Sequence, residues 1–124
     1  MTGKIIVIIF TIVFAVAGVM FITQKKSADI NGYVEEIKTV KDAFLVDVRT
    51  PEEYAAGHIP GSINIPLDRI LDIKNVVSDK NNPLYVYCRS GRRSSQAASA
   101  LEKAGYTRVV NIGGIMDYKG RIEY

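Results

Sequence analysis

A strand, a polar loop and a helix are expected in direct succession over residues 84–104, and this order constrains the fold more than any other feature. The stretch "LYVYC" is apolar throughout, which predicts a strand buried on both faces of its sheet. The stretch "RRSSQAASALEKAG" places small and apolar residues at helical spacing and stops at Gly105, which predicts a helix. A buried strand that leads into a helix is typical of a parallel α/β sheet.

The chain between residue 28 and its end alternates in the same way. Further strand candidates share apolar runs: 43–48, 107–112 and a shorter one after the Pro60–Gly61 turn. Further helix candidates share helical spacing or a start signal: 32–41, 67–73 and a segment capped by Thr50. Pro51 suits the first helical position and Glu53 completes a capping box with Thr50. We therefore expect one α/β domain over residues 28–124.

The first 27 residues form a separate unit in this interpretation. Residues 5–22 are an unbroken run of 18 apolar or small residues apart from Thr11, long enough to span roughly 27 Å of a bilayer as a helix. The run favours a single-pass membrane anchor in residues 1–27, because a signal peptide usually has a shorter core and a clear cleavage site. Export after signal cleavage is the alternative. The short amino-terminal tail favours an extracytoplasmic domain, whereas Lys25 and Lys26 oppose it.

Charge and composition exclude several classes of function. Lys4, Lys25 and Lys26 account for the net charge of +3, so residues 28–124 are neutral overall and we expect no nucleic-acid partner. With one cysteine and one histidine in the chain, neither an intramolecular disulfide nor a zinc site of cysteine and histidine ligands is expected. We expect no metal and no cofactor.

The loop "CRSGRRS" places reactive chemistry where the strand ends and the helix begins. The free N–H groups and the dipole of a helix N-terminus favour an anion, and they lower the pKa of a cysteine there. Arg89, Arg92 and Arg93 add positive charge, and Gly91 lets successive amides point inward. Cys88 is therefore a candidate nucleophile. The alternative is a structural cysteine that ends a core strand.

Three separated stretches give the chain a resemblance to single-domain rhodaneses, a family of sulfurtransferases that use a cysteine persulfide. These stretches are "LVDVRTPEEYAAGHIPGSINIP", "YVYCRSGRRSSQAASALEKAGY" and "VVNIGGI", within residues 30–118. The resemblance implies a rhodanese-like fold: a five-stranded parallel sheet with helices on both faces. It also implies that Cys88 is the nucleophile and that the following loop binds substrate through Arg89, Ser90, Gly91, Arg92 and Arg93. Ser62, where the family usually has alanine, and Tyr118, near a frequent tryptophan, are departures that concern the rim of the site.

The loop length indicates sulfur rather than phosphate. Cysteine-dependent phosphatases of this wider fold carry an arginine six positions after the cysteine, where its fork grips phosphate oxygens. In this chain Ser94 occupies that position, and Arg93 lies five positions after Cys88. A loop that is one residue shorter suits one additional sulfur atom better than a tetrahedral phosphate.

The remaining charged residues have expected supporting roles. Asp47 and Arg49 lie two apart on a strand and are expected to join the end of the sheet to Glu53 or to the loop. Arg89 and Arg92 are candidates for steering an anionic donor. Arg93 either braces the loop or is a solvated charge at the start of the helix.

The sequence thus predicts sulfur transfer from a donor such as thiosulfate to a thiophilic acceptor through a Cys88 persulfide. Expected partners are small sulfur-containing anions, thiols, a possible protein acceptor of sulfur, and the membrane through residues 5–22. Two alternatives stay open: a membrane-tethered carrier of persulfide sulfur without turnover, and a cysteine-dependent phosphatase or arsenate reductase.

Overall fold

The computed structural model describes residues 28–124. Within that range no helix is both long and apolar enough to cross a membrane. The predicted membrane segment at 5–22 lies outside the described residues and stays a prediction.

A parallel sheet with the strand order β2-β1-β3-β4 forms the centre of the domain. Its strands are β1 (Phe44–Asp47), β2 (Ser62–Asn64), β3 (Leu84–Cys88) and β4 (Val109–Gly114). Its helices are α1 (Ile30–Ile37), α2 (Pro51–Ala55) and α3 (Arg92–Lys103), with 3-10 segments at Leu67–Asn75 and Ile115–Asp117. The predicted α/β class and the parallel sheet are confirmed.

The five strands implied by the resemblance are wrong for residues 28–124, which contain four. The carboxyl-terminal tail is the remaining extended segment, but it forms only one isolated antiparallel bridge, between Glu123 and His58. Residues 119–121 and 123–124 are exposed, so the tail lacks the apolar run that would hold it in a sheet as a further strand.

Local signals explain where the helices begin. Thr50 and Glu53 form the predicted capping box of α2, with Pro51 in its first turn. The first helix begins two residues earlier than predicted, because the Asp29 side chain accepts a hydrogen bond from the Gly32 N–H and caps it there. The predicted helix at 67–73 is a 3-10 segment that Arg69 interrupts with non-helical backbone angles.

Helices cover both faces of the sheet, as predicted. One core cluster combines β-strand residues such as Val46 and Val86 with Leu101 of α3, and the other combines Leu45 and Tyr85 with residues of α1. Side chains alternate between the faces along a strand. Cys88 belongs to the Val86 cluster, so its side chain lies on the α3 side of the sheet.

Candidate functional site

The Cys88 sulfur lies between the end of β3 and the first turn of α3. The side chain is buried, and its Sγ accepts hydrogen bonds from the Gly91 N–H at 3.0 Å and from the Ser94 hydroxyl at 3.4 Å. The loop therefore surrounds the sulfur with hydrogen-bond donors, which is the arrangement of an anion-binding loop.

Two opposing effects set the pKa of this thiol. Burial raises the pKa of the Cys88 thiol, but hydrogen bonds from the Ser94 hydroxyl and from the backbone N–H groups of Ser94, Gly91 and Ser90 lower it. The lowering effect is the larger, so the pKa lies below its usual value. Cys88 therefore loses its proton more readily than an unperturbed cysteine and forms the thiolate, the nucleophilic form of cysteine.

The shape of the loop depends on glycines from two elements. Gly91 has φ +101° at the start of α3, a left-handed conformation that disfavours any side chain. Gly114 lies directly against the loop: a Cβ there would clash with the Arg89 carbonyl oxygen. The "GG" at the end of β4 therefore leaves room for the loop to approach the sheet.

Arg93 braces the loop rather than standing free. Its guanidinium donates to both carboxylate oxygens of Glu53, at 2.7 and 3.0 Å, and so ties α3 to α2. The hydrogen bond from Arg93, against a smaller opposing effect of burial, lowers the pKa of Glu53 to about 2. Arg93 was expected either to brace the loop or to be a solvated charge, and the ion pair with Glu53 fits the first role.

Arg89 and Arg92 are exposed, and neither forms a salt bridge within residues 28–124. A cavity of about 360 Å³ lies on the Arg89 side of the loop, lined by Arg49, Glu53, Ala56, Gly57, Arg89, Ile115 and Met116. An anion that enters this cavity meets a cation next to the cysteine.

Asp47 and Arg49 form a buried ion pair at the end of β1. Arg49 Nη2 donates to Asp47 Oδ2 at 2.7 Å and to the Gly57 carbonyl at 2.7 Å, and Arg49 Nε contacts both carboxylate oxygens. The pair is therefore joined to the turn after α2. Glu53 is hydrogen-bonded to Arg93 instead, so the polar network expected from the sequence consists of two separate pairs.

Two further residues of the site were not singled out from the sequence for a role. Ser94 is fully buried, and its hydroxyl oxygen lies 3.4 Å from the sulfur of Cys88 and 2.7 Å from Oδ1 of Asn111 on β4. The sequence signal for Ser94 was its position one turn into a helix that starts beside a cysteine. Asn111 had none, because its approach depends on the pairing of β3 with β4.

Comparisons with known proteins identify the family and the fold. The family model "Rhodanese-like domain" matches residues 31–121. The thiosulfate sulfurtransferase PspE of Escherichia coli is 48% identical over 73 residues, which cover 58% of this chain and 70% of that protein. A sulfurtransferase of Allochromatium vinosum is 40% identical over 83 residues, 66% of this chain and 77% of that protein. A solved rhodanese with anions from E. coli has a TM-score of 0.62 at 43% identity and covers 65% of this chain and 96% of its own.

Proposed function

Since this chain belongs to the rhodanese-like domain family, we propose that it transfers a sulfane sulfur from thiosulfate or a similar donor through a persulfide on Cys88. The observation that carries the proposal is the Cys88 sulfur, which receives hydrogen bonds from Gly91 N–H and the Ser94 hydroxyl inside a loop that ends at a helix N-terminus. The sulfurtransferases among its relatives support the class of reaction.

In the first half of the reaction the Cys88 thiolate attacks the outer sulfur of thiosulfate. A bond forms between Sγ and that sulfur, the sulfur–sulfur bond of the donor breaks, and sulfite leaves with the electron pair. The lowered pKa of Cys88 favours the thiolate that this attack requires.

In the second half a thiophilic acceptor, such as cyanide or a thiolate, attacks the outer sulfur of the persulfide. The bond to Sγ breaks and its electron pair returns to Cys88 as thiolate, which completes a ping-pong cycle. Arg89 and Arg92 are proposed to attract the anionic donor, because both are exposed cations next to the loop. Arg93 contributes less charge, because Glu53 neutralises it.

Steady-state transfer from thiosulfate to cyanide by the full-length chain tests the proposal. Wild type should turn over, and Cys88→Ser should fall to background because a serine hydroxyl stays protonated and cannot hold the sulfur. Ser99→Ala, at an exposed position of α3, is the matched control and should keep wild-type turnover. Undiminished turnover by Cys88→Ser would exclude the mechanism.

The same assay separates the enzyme from the persulfide carrier. If thiosulfate loads Cys88 once but cyanide does not drive repeated turnover, the chain is a carrier that delivers sulfur to a dedicated acceptor. Hydrolysis of an aryl phosphate in place of sulfur transfer would favour the phosphatase alternative.

A further inference from the structure

Asn111 connects three parts of the site from the neighbouring strand. Its Oδ1 accepts from the Ser94 hydroxyl at 2.7 Å and from the Gly113 N–H at 3.0 Å, and its Nδ2 donates to the Gly91 carbonyl at 3.1 Å. Ser94 in turn lies 3.4 Å from the sulfur of Cys88. The reaction described above uses the Ser94 hydroxyl but none of the contacts of Asn111.

The orientation of the Asn111 amide is fixed by its neighbours. If the amide were turned over, Nδ2 would face the Gly113 N–H and Oδ1 would face the Gly91 carbonyl, so that a donor would meet a donor and an acceptor an acceptor. Oδ1 therefore faces Ser94.

The Ser94 hydroxyl has one proton and three acceptors within reach, of which the Gly113 carbonyl oxygen, at 3.5 Å, is the most distant. Its oxygen is 2.7 Å from Asn111 Oδ1 and 3.4 Å from Cys88 Sγ, and it can donate to only one of them at a time. A neutral thiol is a weak acceptor, so the proton favours the amide oxygen. A thiolate is a charged acceptor and attracts the proton more strongly.

Turning the hydroxyl toward sulfur leaves no acceptor without a partner. Asn111 Oδ1 keeps the Gly113 N–H when Ser94 turns away, so the cost of an unsatisfied polar atom is avoided. The strand irregularity that brings Gly113 opposite Tyr87 places this N–H next to the amide.

We propose that Asn111 is a positioning residue that holds the Ser94 proton while the Cys88 sulfur is neutral and yields it when that sulfur becomes charged. This inference rests on the proposed function for its use in the reaction. In a persulfide the negative charge lies on the outer sulfur. When the acceptor attacks that sulfur, the electron pair of the sulfur–sulfur bond goes to Sγ, which becomes negatively charged, and the outer sulfur leaves bound to the acceptor. The Ser94 proton then turns to the departing Sγ and stabilises it as the leaving group.

The test is the pH dependence of Cys88 alkylation by iodoacetamide in the full-length chain. Cys88 is the single cysteine, so the reaction reports on it alone and requires no sulfur transfer. The variants are Asn111→Asp, Ser94→Ala and the two combined. Asn111→Asp has nearly the same shape, lies at an exposed strand position and offers Ser94 a charged acceptor.

The alkylation midpoint is the pH at which the alkylation rate of Cys88 reaches half of its maximum. We expect Asn111→Asp to raise this midpoint by about one pH unit, the effect of losing one hydrogen bond to a charged sulfur. In the Ser94→Ala background the same substitution should raise it by less than about half of that, since only direct charge repulsion remains. Loss of the Nδ2 donor to Gly91 is common to both backgrounds and cancels in the comparison.

Asn81→Asp is the matched control. Asn81 Oδ1 also accepts from a hydroxyl, that of Thr107 at 3.0 Å, but at the amino end of β3, and its replacement should leave the midpoint unchanged. The charged groups of the elements around Cys88 remain the same in every variant: Arg89, Arg92, Arg93, Asp47, Arg49 and Glu53.

An equal shift from Asn111→Asp with and without Ser94, or no shift at all, would overturn the role of Asn111. Because the titration does not depend on thiosulfate, the role can fail while sulfur transfer stands, and the reverse also holds.

Discussion

At the scale of single residues, the site derives its chemistry from hydrogen-bond donors more than from neighbouring cations. The groups that lower the pKa of Cys88 are the Ser94 hydroxyl and three backbone N–H groups. The sequence predicted the amides, because any helix N-terminus has unpaired N–H groups. It did not assign Ser94 a role, because the same residue type is common on the solvent side of helices.

The Arg93–Glu53 pair belongs to the same scale and gives a dependence on pH. The pKa of Glu53 is lowered from 4.5 to about 2 in the folded protein, so the pair stabilises the fold fully above about pH 4.5 and loses this effect as the pH falls toward 2. Glu53→Gln should therefore reduce the free energy of unfolding at pH 7 by about 1 kcal/mol or less, since the pair is partly exposed.

Urea unfolding of wild type and Glu53→Gln at a series of pH values between 7 and 2 measures this difference. The difference in the free energy of unfolding between the two proteins should decrease over the acid half of the range. Glu35→Gln is the control, because its partner Lys38 is an exposed residue directly after α1 and the change should cost little at any pH. A gap of constant size would mean that ionised Glu53 is not what stabilises the contact.

At the scale of elements, the length of the connection between β3 and α3 defines the site. Cys88 ends the strand, Gly91 caps the start of the helix, and Ser94 lies on the first turn of the helix. Each donor therefore reaches the sulfur because of the number of residues that separate it from Cys88. One added residue between Gly91 and Arg93 would move Ser94 and the Arg93 brace around the helix together.

We expect this one-residue insertion to lower thiosulfate turnover by at least about tenfold, the loss that follows from one misplaced hydrogen bond in the transition state. Slow hydrolysis of an aryl phosphate is the accompanying expectation. As the control, one residue inserted in the exposed turn at 79–81, which precedes β3 at its opposite end, should leave turnover unchanged. Equal turnover in the loop insertion and the wild type would show that loop length does not select sulfur.

The elements near Cys88 were largely predictable, and the contacts between distant elements were not. Apolar runs predicted β1 and β3, and Thr50 and Glu53 predicted the start of α2, because these signals are local. The Arg93–Glu53 and Ser94–Asn111 contacts join residues 40 and 17 positions apart, and they depend on which strands are neighbours and on their register. The resemblance implied five strands, whereas residues 28–124 form four, which matches the number of apolar runs found in the sequence.

At the scale of the whole molecule, the domain and the amino-terminal run are expected to have separate roles. The run at 5–22 would contribute far more transfer free energy to membrane binding than three lysines, which are worth about 1 kcal/mol each at a charged surface. We therefore propose that the chain is held in a membrane by this segment and that the catalytic domain projects from it.

Membrane fractions washed with high salt and then with carbonate test this proposal. The full-length protein should stay with the membrane through both washes, whereas a peripheral protein bound through charge leaves with salt. Amino-terminal sequencing of the native protein completes the test. A mature protein that begins after residue 17 or near residue 28 would identify the segment as a cleaved signal and exclude the anchor.

The persulfide itself is the most direct test of how this chain works. The measurement is the intact mass of the full-length protein after incubation with thiosulfate, without reductant, followed by mapping of the peptide that contains Cys88. We predict a gain of one sulfur atom on that peptide, its loss as thiocyanate when cyanide is added, and no gain in Cys88→Ser. An unchanged mass after thiosulfate, or a gain that persists in Cys88→Ser, would contradict sulfur transfer through Cys88.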